Sequence, residues 1–244
     1  MKRICIVITT LSLLLACGKE QDSAISLNNE SISGTWMVEK YVEKVIHADG
    51  TTETGEFEQY VNSYAYIFYS DGTGFERSGD DEYVDRIQYS ISDNRLTVSY
   101  IGADPDHGSI VFEVSCLSDS NVVLESSETE SGDTYIATAT FKKVHSGVIT
   151  LKEMVRKWIM GSLGEEPIYL EIFEDGKGIW SMTILGFTTN VDYDVSVSSH
   201  TLTLTNKSES IQYDLLCFAA DDIQLLGSDS DKPFPLIRVE ETEN

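Results

Sequence analysis

Four aromatic side chains, Tyr64, Tyr66, Phe68 and Tyr89, are the strongest hint of a binding site in this chain. If they face one interior, they line a pocket for an apolar or aromatic ligand, with the tyrosine hydroxyls fixing its orientation. The same rings would equally serve as core filling, and an eight-stranded barrel can do either. Nothing else in the sequence points to catalysis. There is no nucleophile motif, no His-x-x-x-His and no cysteine pair at zinc spacing. His47, His107, His145 and His200 fall in expected loops or turns and read as solvated surface residues. Asp104-Pro105-Asp106-His107, Gly79-Asp80-Asp81-Glu82 and Asp229-Ser230-Asp231 read as turn formers rather than calcium loops, which need six or more oxygens at fixed spacing. The expectation is therefore a non-enzyme with no cofactor and no metal.

A second reactive position is Cys17. Lys2 and Arg3 lead an apolar run from Ile4 to Leu15, closed by Leu14-Leu15-Ala16-Cys17. A charged start, a short apolar stretch and small residues at the cut make a secretory leader rather than a membrane span. The Leu-Leu-Ala-Cys ending resembles the lipobox of bacterial lipoproteins, which implies removal of residues 1–16 and lipid on the Cys17 sulfur. The segment 17–32 reads as a tether, able to hold the first domain roughly 20 Å from a bilayer. Its Gly-Lys-Glu-Gln-Asp stretch loosely resembles the acidic segment behind the lipidated cysteine in surface-exported lipoproteins of Bacteroidetes-type bacteria.

Loss of the leader would leave 228 residues carrying 15 basic and 41 acidic side chains, a net charge of −26. Such a field repels polyanions, so nucleic acid is excluded as a partner. It also repels anionic membrane surfaces, so attachment must come from more than one acyl chain. Of four cysteines, only Cys116 and Cys217 lie outside the leader and the lipidation site, and both read as small buried core residues.

From Ser33 the pattern alternates with period two, broken by Asp, Gly, Ser and Asn turns. Strands are expected at 64–69, 85–92, 95–100, 109–116, 121–126 and 135–143, joined as a meander. The order then recurs. Tyr66 to Gly74 returns as Leu170 to Gly178, Tyr89 to Ser92 as Tyr193 to Ser196, and Leu96 to Val98 as Leu202 to Leu204. Phe112 to Cys116 returns as Tyr213 to Cys217, and Val122 to Leu124 as Ile223 to Leu225. Trp36 and Trp158 open the copies; Phe141 to Val144 and Leu236 to Val239 close them.

Comparing the copies assigns the inner face. Ile67 stands against Glu171 and Val123 against Gln224, so these positions point outward. Tyr66/Leu170, Phe68/Ile172, Tyr89/Tyr193, Ile91/Val195, Leu96/Leu202, Phe112/Tyr213, Val114/Leu215 and Val122/Ile223 stay apolar and point inward. A slip of one residue would bury charge, so the register is determined. Between the copies, Thr150-Leu151-Lys152-Glu153 has the form of a capping box and opens a short helix ending near Trp158, a plug under the second domain.

Gly34-Thr35-Trp36, then Phe68 to Gly74, then Asp93-Asn94-Arg95-Leu96-Thr97 resemble, in that order, the lipocalin-like domains of Bacteroidetes lipoproteins. The resemblance covers 33–144 well and 150–240 more weakly, with Arg156 where a glycine would stand and no Asp-Asn pair before Leu202. It implies an all-β fold of two tandem antiparallel meander barrels, lipocalin-like, with a short helix between them. Domain 1 would span 33–146. Domain 2 would span 148–240, divergent and shorter, its barrel incomplete or open on one side. The resemblance also implies a basic residue over each opening tryptophan: Lys142 or Lys143 over Trp36, and Arg238 over Trp158. The expected function is a lipoprotein of the cell envelope, anchored to the outer membrane on its periplasmic or surface face. It would bind a small hydrophobic molecule or a glycan in the first barrel. The alternative is a structural module that holds a partner protein in an envelope complex.

Overall fold

The computed structural model describes residues 26–78, 83–101, 108–164, 166–219, 222–228, 230 and 232–239. Cys17, the 104–107 segment and residues 79–82 therefore lie outside the described residues, as do Asp229 and Asp231.

The first half runs α1 (Asn29–Ile32), β1 (Gly34–Ile46), β2 (Thr52–Glu56), a 3-10 turn at Glu58–Tyr60, β3 (Ala65–Phe68) and β4 (Thr73–Arg77). It continues through β5 (Asp85–Ser92), β6 (Arg95–Tyr100), β7 (Ile110–Leu117), β8 (Asn121–Glu130) and β9 (Asp133–His145). β1 and β3 to β9 pair antiparallel in sequence order, and β9 returns to β1 to close an eight-stranded barrel. β2 folds back on the far half of β1.

The second half runs α2 (Leu151–Met154), β10 (Lys157–Leu163), β11 (Glu166–Ile172), β12 (Lys177–Ile184), β13 (Phe187–Ser198) and β14 (Thr201–Thr205). β15 (Ser210–Ala219), β16 (Asp222–Gly227) and β17 (Phe234–Arg238) follow. These eight strands also close, with Trp158 opposite Arg238 and Ile159 opposite Ile237. The expectation of an open second barrel is thus corrected: shorter strands still present enough edge for β17 to reach β10.

Each barrel wraps its own core. Trp36, Tyr66, Phe68, Ile87, Leu96 and Phe141 pack together in the first; Trp158, Leu170, Ile172, Leu202, Leu215 and Leu225 pack in the second. The repeated Asp-Gly-x-Gly turn has a physical cause. Asp71 accepts from the Thr73 amide, and Asp175 from the Lys177 amide. Gly72 and Gly176 take φ of 87° and 76°, the left-handed region that glycine occupies without strain. A Cβ on Gly74 would lie 2.1 Å from the Ile67 carbonyl oxygen, so that strand crossing admits only glycine.

The helix reading needs correction. α2 ends at Met154 because Val155 leaves helical geometry (ψ 92°), and Trp158 sits on β10 rather than on a helix face. Its capping box forms, with Glu153 accepting from the Thr150 amide and hydroxyl. The last part of the expected tether is also structured. α1 is the first barrel's equivalent of α2, with its own capping box between Asn28 and Ser31. Each helix plugs one barrel end, and Trp36 and Trp158 donate to backbone carbonyls four residues back, Ile32 at 2.6 Å and Met154 at 2.9 Å. Lys143 lies 5.0 Å over the Trp36 ring, as expected. Over Trp158 the cation is Arg156, at 5.2 Å, not Arg238, whose strand only pairs with that tryptophan.

Ile67 does point away from its own barrel's interior, yet it is buried, because the second barrel covers it. Ala65, Ile67, Tyr69, Phe75 and Val84 pack with Leu216, Phe218 and Leu226 in a third apolar cluster. Polar contacts frame it. Thr35 donates to the Cys217 carbonyl at 2.6 Å and Tyr69 to the Leu215 carbonyl at 3.0 Å. Arg86 reaches the Asp214 carboxylate at 3.1 Å and the carbonyls of Gly227 and Ser230 at 2.8 Å each. Arg77 stacks 4.1 Å over the Phe218 ring. His200 is no solvated surface residue: its ring stacks on Tyr69 at 3.9 Å. His145 is half-buried and accepts from the Gly147 amide, and His47 pairs with Asp133 at 3.0 Å. Cys217 is buried in the second core, whereas Cys116 is half-buried and disulfide-bonded, which corrects its reading as a plain core residue.

Candidate functional site

The two ends of the first barrel are built differently. At the α1 end the interior is filled by Ile32, Trp36, Phe68, Tyr89 and Leu96, all buried. Phe68 and Tyr89 meet edge to face at 4.9 Å, and the Tyr89 hydroxyl donates to the Tyr69 carbonyl at 2.5 Å. Two of the four singled-out aromatics therefore serve as core at the closed end, with the Tyr89 hydroxyl already used.

Tyr64 and Tyr66 belong to the other half. Strand register carries them there: Tyr66 lies opposite Glu76, and Tyr64 stands beside Val38, toward the barrel mouth. Phe75 faces the second barrel, so the alternation of β4 turns Glu76 inward, where it is 5% exposed. Its two oxygens are both held. Tyr64 donates to Oε1, Tyr100 donates to Oε2 at 2.5 Å, and the Tyr66 and Tyr64 hydroxyls lie 3.0 Å apart. Because Tyr64 spends its proton on Glu76, Tyr66 donates to Tyr64. Three phenols and one carboxylate thus form a single network within a ring-lined wall that includes Phe112 and Phe141.

Burial dominates the electrostatics. It pushes the Glu76 carboxyl above its ordinary range, against the tyrosine hydrogen bonds, which pull it down. Burial, with the adjacent carboxylate adding to it, drives Tyr64, Tyr66 and Tyr100 well above the usual phenol range, so all three remain donors.

Above the network the rings continue outward and become half-exposed. Tyr60 meets Tyr64 edge to face at 6.4 Å, Tyr41 meets Tyr60 at 4.7 Å, and Phe57 meets Tyr41 at 6.1 Å. The Tyr41 hydroxyl donates to Glu43 at 3.2 Å, and burial beside that carboxylate raises it to about 12. The result is an aromatic throat with one carboxylate at its rim and one buried at its base.

Glu76, Tyr100, Tyr60 and Tyr41 were not singled out by sequence reasoning. The available signal was the repeat: two residues past the matched Gly74/Gly178 pair, Glu76 stands against Trp180. Among the described residues no group of three or more His, Cys, Asp or Glu side chains could hold a metal ion. No described helix is long and apolar enough to cross a membrane. No protein-family model and no curated protein matches the chain. What is established is its architecture, two closed eight-stranded antiparallel barrels in tandem.

Proposed function

We propose that the protein is a lipid-anchored binding protein of the bacterial cell envelope, taking a small ligand into the mouth of its first barrel without transforming it. The observation that carries this reading is the asymmetry of that barrel. One end has its interior filled by buried apolar side chains, while the other keeps half-exposed rings above a buried polar network. Ligand sites combine apolar walls with a few convergent polar groups in this way. The second barrel braces the outer wall through the Ile67–Phe218 cluster and leaves the mouth to the ligand.

The anchor is supported by the sequence alone: Lys2-Arg3, the apolar run and Leu-Leu-Ala-Cys17. Mass spectrometry of the N-terminal peptide should show diacylglyceryl-modified Cys17, and Cys17→Ala should release the protein from membranes. An unmodified cysteine in a membrane fraction overturns the anchor. Lipidation would leave Cys17 no thiol to pair with the disulfide-bonded Cys116, so two titratable thiols in the denatured mature chain would support the anchor, and a disulfide retained at Cys116 would count against it. Ligand binding is tested on the full chain by native mass spectrometry after screening small apolar compounds and glycan fragments. Failure to retain any of them overturns it.

A specific observation also favours an interaction module. Leu185 and Phe187, 91% and 80% exposed, crown the β12–β13 hairpin, with the exposed Ile184 paired to Phe187. Apolar clusters of this kind mark protein contacts. In-cell crosslinking from position 187 should then capture an envelope protein, and Leu185→Ser should abolish the adduct.

A further inference from the structure

Burying a carboxylate is costly, and the duplicated architecture shows that packing does not demand one here. Glu76 lies opposite Tyr66 on β4, and its repeat counterpart Trp180 lies opposite Leu170 on β12. The second barrel fills the same inward position with an indole and closes equally well. Glu76 therefore needs a reason other than the fold.

Its hydrogen bonds are satisfied, but its charge is not. No ion pair to Glu76 exists among the described residues. The cations of the neighbouring strands are engaged elsewhere. Arg77 and Arg86 turn outward to Phe218 and Asp214 of the second barrel, and Lys143 covers Trp36 at the closed end. A carboxylate offers about four lone-pair positions, so the donors Tyr64 and Tyr100, with Tyr66 also against it, do not fill them all. Next to it stand Tyr64, Tyr60 and Tyr41, partly buried and tilted or edge-on to one another at 4.7 and 6.4 Å. Glu43 adds a carboxylate at the rim.

We infer that the mouth of the first barrel takes the cationic head of an organic amine or quaternary ammonium compound, with Glu76 as counter-charge and the Tyr64, Tyr60 and Tyr41 rings as its cage. The inference rests on the ligand-binding reading above and names the chemistry of that site. Ring faces attract ammonium groups through their quadrupole, most strongly where water is excluded. A chain with a net charge of −24 draws cations toward it and repels anions. A neutral sugar would find the Tyr64 and Tyr100 hydroxyl protons already committed to Glu76.

The test uses the full chain in non-ionic detergent, with tyrosine rings carbon-13 labelled, and three probes of one shape. These are choline, its neutral isostere 3,3-dimethylbutan-1-ol, and the anion 3,3-dimethylbutanoate. Choline should shift the Tyr64 and Tyr100 resonances and bind at least about tenfold tighter than the alcohol, with the anion weakest. Glu76→Gln keeps the size and one acceptor and should erase most of that preference. A pH series on the unaltered protein supplies the same answer should the variant fold poorly, because choline itself does not titrate. The groups facing Glu76 are Tyr64 and Tyr66 on the β3 side, Asp85 on β5 and Tyr100 on β6, with Glu43 at the rim. The phenols stay protonated, so choline affinity should rise with pH across the acid range while the alcohol stays flat. Equal binding of all three probes, unaffected by Glu76→Gln and by pH, overturns the cationic inference but leaves a ligand site. No ring shift with any probe overturns both.

Discussion

The two barrels share strand order, a capped helix plug, an opening tryptophan under a cation and an Asp-Gly-x-Gly turn, yet their upper interiors are opposites. The first holds Tyr64, Tyr66, Glu76 and Tyr100 in one hydrogen-bonded network. The second places Ile168, Leu170, Trp180 and Asn206 at the matching repeat positions, and packs Trp180 against its core together with Met160, Val191, Tyr213 and Phe234. What the fold requires is what the copies have in common; what differs is free to serve binding. By that criterion the closed ends are structural in both halves, and the first mouth is the specialised region.

Mutations that test this division should differ in size. The largest effect belongs to the shared structural end. Phe68→Ala empties a fully buried ring position in the first core and should cost about 3–5 kcal/mol in urea denaturation. Because the cores are separate clusters, tryptophan emission reporting Trp36 should move to lower urea before that reporting Trp158. A single common shift would mean that the Ile67–Phe218 contact couples the barrels into one unit. Next comes a direct exchange. Trp180→Glu puts the first barrel's carboxylate into the second, where Ile168 and Leu170 offer no hydroxyl. It should destabilise by about 2 kcal/mol, measured the same way, since the charge would meet apolar walls and the indole contacts would be lost. A neutral result would show that the polar network is not what makes Glu76 tolerable.

Much of the architecture was legible because the chain states it twice. Ile67 against Glu171 separated outward from inward positions that one copy alone left ambiguous, and the Asp-Gly-x-Gly turns marked the strand crossings. Closure of the second barrel was not legible, since strand length does not say whether β17 meets β10. The contact between barrels was hidden as well: outward apolar residues such as Ile67 and Phe75 look like surface until the partner wall is present. The candidate site was half legible. Tyr64 and Tyr66 were visible as aromatics on one face, but Glu76 beside Phe75 reads as a polar residue facing water, the reverse of its placement. The parity of β4 inverts because its outer face is also buried, so hydrophobicity no longer reports which side is in. Trp158 misled because the capping box at Thr150 suggests a helix running to it, although the helix stops at Met154 and β10 claims the tryptophan.

A smaller effect should sharpen the comparison through pH. Since burial raises the Glu76 carboxyl in the folded state, its contribution to stability is present below the unfolded range and is lost as pH rises through the folded value. Glu76→Gln removes that dependence. The variant should therefore gain on the parent protein in denaturant midpoint as pH rises from acid to neutral, and a gap constant with pH would place the ionisation elsewhere.

The smallest effects belong to the cations over the opening tryptophans, where the copies reach one contact by different routes. Lys143 comes from the last strand of the first barrel, while Arg156 comes from the segment before β10. Lys143→Gln and Arg156→Gln should each cost about 0.5–1 kcal/mol, because each removes a partly exposed cation–π contact and keeps most of the side-chain length. Lys143 also lies against Gly34, so part of its loss is packing. Lys143→Met retains that packing and should recover some stability. Arg156→Met, with no such glycine beside it, should recover less. Equal recovery in both barrels would mean that the two contacts are equivalent in energy despite their different origins in the chain.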